Sequence, residues 1–124
     1  MKFFAVLDCQ SLRHCPPSLQ HLAIRSWVEQ QGGEVSFYTC EDPLSLPYGV
    51  LKARLPTLES EALCFFTVKQ LIQTGFDFPF LEELLASPVG KMVGFARENV
   101  IINPETYPSL RPWLWREGLS NVLA

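Results

Sequence analysis

At 124 residues, 48% hydrophobic and 19% charged, the chain is long and apolar enough to close one sizeable core, which excludes disordered and fibrous classes. A net charge of -3, with ten Lys and Arg scattered along the chain, excludes a phosphate-binding face for DNA or RNA, because such faces depend on clustered positive charge. No apolar run approaches the roughly 18 residues that a membrane-spanning helix needs, so no membrane partner is expected.

The N-terminal run Lys2 to Asp8 is apolar from Phe3 to Leu7 and ends on Asp8, the pattern of a parallel strand buried on both faces. It is too short an apolar region for a secretory signal. With four cysteines and no export signal, reduced thiols and a cytoplasmic location are expected. Cys15-Pro16-Pro17-Ser18 breaks the chain and offers Ser18 as a helix cap; Leu19, Leu22, Ala23, Ile24, Trp27 and Val28 then recur at helical spacing up to Gly32-Gly33. Glu34 to Cys40, with Val35, Phe37 and Tyr38, reads as a second strand stopped by Glu41-Asp42-Pro43.

Tyr48 to Leu55 places Val50, Leu51 and Leu55 on one helical face between Pro47 and Pro56. Ala62 to Val68 is the strongest strand signal and predicts a central position. Lys69 to Phe78 is a connection with a turn of helix, and Pro79 to Ala86 a third helix with Glu82 and Glu83 near the positive end of its dipole, closed by Gly90. Lys91 to Ala96 reads as a fourth strand. Val100-Ile101-Ile102 reads either as its extension or as a short irregular strand, and Pro104, Pro108 and Pro112 break any helix in the tail or delay it to about Ser109–Gly118.

This alternation predicts a three-layer α/β/α domain spanning residues 1–124, with a Pro- and Trp-containing tail from about residue 103. Its four-stranded, mainly parallel sheet has the order 2-1-3-4, and the switch point falls between the first and third strands. Ligands of such sheets bind at the carboxyl edge, where this sequence brings Arg97, Glu98, Asn99, Lys69, Gln70 and Glu41; these are the candidate ligand-binding residues. The bland alternative is that they are ordinary solvated strand ends. In strand alternation Arg97 and Asn99 share one face and Glu98 takes the other.

Cys9 and Ser11 are the only nucleophiles at the switch point, with His14 five residues beyond Cys9 in the first loop. A buried cysteine that is simply a small hydrophobe is the more common case. Cys9, His14, Cys15 and Cys40 lack the close ligand pairs of a structural zinc site, so no metal is expected. No glycine-rich phosphate loop is present, and no cofactor is expected. Trp113 and Trp115 serve either as a stacking surface for a sugar or another subunit, or as part of the domain's own core.

The segments Gln20-His21-Leu22-Ala23-Ile24-Arg25-Ser26-Trp27, Leu55-Pro56-Thr57-Leu58, Leu63-Cys64-Phe65-Phe66-Thr67, Gln70-Leu71 and Phe95-Ala96-Arg97-Glu98-Asn99 resemble a bacterial family, the sporadic carbohydrate cluster proteins, over roughly residues 3–103. The resemblance implies a setting in surface polysaccharide or lipopolysaccharide synthesis and no established activity. More distantly, the order of elements resembles flavodoxin-like sheets and the catalytic domain of serine recombinases, the resolvases. That family's first strand ends in an Arg followed two residues later by its Ser nucleophile, and its third strand leads into an Asp-Arg-Leu-x-Arg loop. Here the corresponding segments read Leu7-Asp8-Cys9 and Val68-Lys69-Gln70-Leu71-Ile72. Without those arginines the phosphate transition state lacks its charge stabilisation, so recombinase activity does not carry over.

Two functional readings follow. One is an accessory protein that binds a small anionic, sugar or nucleotide-sugar ligand at the carboxyl edge. The other is a non-catalytic interaction module, homodimeric through an exposed apolar helix or the tail.

Overall fold

The apolar N-terminal run forms strand β1 (Lys2–Asp8), hydrogen-bonded to parallel neighbours on both sides in a computed structural model that describes residues 1–9, 15–41, 48–54, 62–72, 78–87 and 92–119. Helix α1 (Pro17–Gln30) leads to β2 (Glu34–Glu41), and α2 (Gly49–Arg54) precedes β3 (Ala62–Phe65). A 3-10 helix (Val68–Ile72), α3 (Phe78–Ala86), β4 (Val93–Phe95), β5 (Val100–Ile102) and α4 (Tyr107–Leu119) complete the order. The sheet runs β2-β1-β3-β4-β5, parallel except for the last pair.

The α/β class, the mainly parallel sheet and the order of its first four strands agree with the sequence reading; the strand count does not. The fifth strand, β5, is antiparallel because Ala96–Asn99 turns the chain within four residues, and so tight a return permits only antiparallel pairing. Asn99 closes the turn in the left-handed region, at φ 54°, with its N–H on the Ala96 carbonyl. Strand alternation therefore does not govern Arg97, Glu98 and Asn99, which are turn residues.

Other boundaries also move. β3 ends at Phe65 instead of Val68, because the chain winds into the 3-10 helix. Of the predicted fourth strand only Val93–Phe95 pairs, while Gly90 and Lys91 lie outside the described residues. Helix α1 has no side-chain cap: Pro16 and Pro17 set its start, and Ser18 lies inside it. It ends at Gly32, whose φ of 78° suits glycine. Helix α3 begins at Phe78, so Glu82 sits in its second turn and accepts a hydrogen bond from the Tyr107 hydroxyl. Helix α4 begins before Pro108, whose missing N–H would have been unpaired in the first turn anyway, and continues through Pro112. Asn103 and Thr106 cap it, the Asn103 side chain accepting from Glu105 and Thr106 N–H and the Thr106 hydroxyl accepting from Asn103 N–H.

Period-two alternation splits the core in two. Phe4, Val6, Leu63, Phe65, Val93 and Phe95 face α2, the 3-10 helix, α3 and α4; Phe3, Ala5, Leu7, Ala62 and Cys64 face α1. Helix α1 buries Gln20, Ile24, Trp27 and Val28, whereas Leu19 and Leu22 of the predicted apolar stripe are exposed. Trp27 reaches across the sheet to β4. A Cβ on Gly94 would lie 2.4 Å from its Cη2 atom, and its indole N–H donates to the Asn99 side chain at 2.9 Å.

Gly94→Ala is expected to cost about 1–3 kcal/mol through overpacking. In a Trp27→Phe background that cost should fall, so a double-mutant cycle in urea that finds the two changes additive would contradict the contact.

Candidate functional site

β3 ends at Phe65, opposite Val6, while β1 continues beside β2 to Asp8, and two buried glutamines pair the β1 groups that β3 leaves. From α1, the Gln20 side chain accepts from Asp8 N–H at 2.9 Å and donates to the Asp8 and Cys15 carbonyls, both at 2.7 Å. From the opposite side, Gln70 donates to the Val6 carbonyl at 3.0 Å and accepts from Thr67 N–H at 3.0 Å. The Gln70 amide thus continues the β1–β3 ladder past Phe65 with a side chain in place of backbone. The Tyr48 hydroxyl donates to the Gln70 carbonyl, and the Tyr48 ring stacks on Phe80 at 4.4 Å. Gln70 is 2% exposed, so it serves as scaffold at the switch point and not as an open wall.

The other candidates divide in the same way. Glu98 folds back from the turn, accepting from the Thr67 hydroxyl at 2.6 Å and from Val68 N–H at 2.9 Å, and so caps the start of the 3-10 helix. Arg97 N–H donates to the Phe66 carbonyl at 2.8 Å, which stitches the β4–β5 turn to the end of β3. Glu41 is buried, with its two carboxylate oxygens accepting from Val50 and Leu51 N–H, each at 3.1 Å. Burial pushes its carboxyl above the usual range, opposed by the neighbouring Thr39 side chain and the hydrogen bonds from those two amides. Asn99 turns to Trp27.

Among the described residues, this edge also carries two cations. Arg97 is exposed at the tip of the turn, and Lys69 follows β3 in the 3-10 helix, half-buried. Partial burial, then the Arg97 guanidinium, lower the Lys69 ammonium below its ordinary range, while Glu98 and Glu117 act against them. Each of the two cations therefore stands in the field of the other.

Of the four thiols, Cys9 and Cys40 are exposed and Cys64 is buried. The Cys9 thiol donates to the Glu41 backbone carbonyl at 3.1 Å. Burial, then Cys9 and Glu41, push the Cys40 thiol up, and burial pushes Cys64 well above the ordinary thiol range. His21 packs against the Tyr38 ring at 5.0 Å. Ser11, His14 and Asp42 lie outside the described residues. Among the described residues no group of three His, Cys, Asp or Glu is placed to hold a metal, and no helix is long and apolar enough to cross a membrane.

Sequence reasoning missed Gln20 and the structural use of Gln70. Gln20 carried a signal: it lies four residues before Ile24 and seven before Trp27, a polar residue on the buried stripe of α1. Comparison with family models, curated proteins and solved structures gave no match to this chain, so the carbohydrate-cluster and resolvase resemblances gain no support from them.

Gln70→Leu leaves the Val6 carbonyl and Thr67 N–H unpaired in the interior and should cost about 2–5 kcal/mol in urea denaturation, at about 1–3 kcal/mol for each orphaned group. An unchanged midpoint would disprove the clamp. For Glu41, a folded pKa above the unfolded one means that protonation stabilises the fold fully below the unfolded pKa, and that this contribution is lost as pH rises through the folded value. Lowering the pH from 7 toward 4 should therefore raise the melting temperature of the wild type relative to Glu41→Gln, and the reverse trend would show the opposite shift.

Proposed function

We propose that this protein binds a small anionic or sugar-linked ligand at the carboxyl edge of its sheet, through Lys69 and Arg97. The observation that carries this reading is that Lys69, in the 3-10 helix capped by Glu98, and Arg97, in the turn whose N–H binds the Phe66 carbonyl, are brought to one edge of the sheet by the same set of hydrogen bonds. An anion between them relieves their repulsion, and a guanidinium beside an ammonium suits a phosphate or carboxylate. The ligand would lie outside the glutamine-filled switch point. The carbohydrate-cluster resemblance directs the choice among anions to nucleotide sugars and to a role beside surface polysaccharide synthesis.

A second reading, the interaction module, is favoured by the aromatics on the open edge strand β2, where Phe37 is 60% and Tyr38 57% exposed. A second copy pairing along this edge would make a homodimer.

Calorimetric titration with UDP-glucose and with pyrophosphate tests the first reading. Saturable binding is expected to weaken at least tenfold in Arg97→Ala and in Lys69→Ala, with the stability of Arg97→Ala within about 0.5 kcal/mol of wild type. Binding that both variants retain would refute it. A concentration-dependent dimer in sedimentation, lost in Phe37→Lys, would instead support the module.

A further inference from the structure

On the far side of the 3-10 helix, α4 and the start of α3 enclose an open groove of about 610 Å³, a volume in the range of small-molecule sites. Arg111, Pro112, Trp115 and Arg116 form one stripe along α4, spaced one, four and five residues apart, and Phe78 closes the groove from α3. The Arg111 guanidinium lies 4.1 Å from the centre of the Phe78 ring, and the Trp115 ring stacks on the same residue at 6.0 Å with planes 26° apart. Phe78 is buried, but Trp115 keeps 46% of its surface exposed and so leaves part of an indole uncovered beside two guanidinium groups.

The chemistry of this lining is one-sided. Among the described residues that line it, the Arg111, Arg116 and Trp115 side chains are hydrogen-bond donors, Phe78 and Pro112 are neither donors nor acceptors, and none accepts. A polyhydroxylated sugar brings donors that would find no side-chain acceptor here. A planar ring that carries a carboxylate satisfies these elements together: its face covers the indole, and its anion meets the guanidinium groups of Arg111, which also acts on the Tyr107 hydroxyl, and of Arg116. We propose that this groove is a second binding site, separate from the Lys69–Arg97 edge, for a planar aromatic anion of the aryl carboxylate class. The ring stacks on Trp115 and the carboxylate bridges toward Arg111 and Arg116.

The probe is 2-naphthoate, titrated by calorimetry and followed through the indole N–H signals in ¹H–¹⁵N spectra. Saturable binding that shifts the Trp115 indole signal is expected. Neutral 2-naphthalenemethanol and non-aromatic cyclohexanecarboxylate should each bind at least tenfold more weakly, the first lacking the charge and the second the ring. Trp115→Leu and Arg116→Gln should each weaken 2-naphthoate at least tenfold, the exposed Arg116→Gln without moving the melting temperature, whereas Arg97→Ala should leave it unchanged. Binding of the alcohol as tight as that of the acid would reduce the groove to an apolar patch. Equal binding of cyclohexanecarboxylate would reduce it to a general anion contact, and loss in Arg97→Ala would assign the probe to the sheet edge. Any of these three results, or no saturable binding at millimolar probe, overturns the proposal.

Discussion

The carboxyl end of β1 poses the problem that the rest of this architecture answers. Beyond Val6 the strand keeps β2 as a partner through Asp8 but loses β3, whose chain turns into the 3-10 helix. Buried N–H and C=O groups on that side have no strand to pair with, and leaving them unpaired costs more than any single apolar contact returns. Gln20 and Gln70 supply the partners, one from each flank. Because each amide carries both a donor and an acceptor, a single side chain can stand in for a length of strand. At the place where doubly wound sheets commonly leave a crevice, the amides of Gln20 and Gln70 are thus spent on the protein's own backbone.

The opposite end of the sheet is fixed by shape as much as by hydrogen bonding. Trp27 extends from α1 over β4, and only the absence of a side chain at Gly94 lets the indole lie against the strand. The same indole then bonds Asn99, whose left-handed conformation closes the turn into β5. Helix α1 therefore holds the start of β2, through the turn at Gly32, and the β4–β5 hairpin at the far edge. Across the turn, Arg97 N–H and the Glu98 carboxylate tie the hairpin to the chain after β3. The two cations at this edge are thus carried on backbone that is held from three directions, which suits residues that must keep a fixed separation.

Charge is sorted by the fold in a way that net charge hides. The acids Glu41, Glu98 and Glu82 are each turned toward the protein, where they accept from backbone amides or hydroxyls. Lys69 and Arg97 gather at the sheet edge, and Arg111 and Arg116 on one face of α4. The cations are thus gathered in two places, and at the sheet edge Glu98 and Glu117 still offset part of their field on Lys69.

Much of the framework was legible from local pattern. The unbroken apolar runs Phe3–Leu7 and Ala62–Phe65 can be buried on both faces only in a parallel sheet, and the alternation with helical segments then constrains the order of the first four strands. The candidate residues at the carboxyl edge follow from that order. What the sequence could not decide were the choices made by long-range contact. Val100–Ile102 is a strand because a four-residue turn returns it to β4, and α4 starts before Pro108 because Asn103 and Thr106 cap it and Tyr107 and Leu114 have a core to enter. Gln70, Glu98 and Asn99 read as ligand-binding residues because polarity at a strand end looks the same whether it faces water or an unpaired backbone group 64 or 30 residues away in the chain. Composition and periodicity by themselves determined the layers and the edge at which the polar residues collect. Only tertiary structure decided which of those residues are spent on the protein's own backbone, because a hydrogen bond's partner is set by distance in space, and one-dimensional spacing carries that distance only within a helix or a strand.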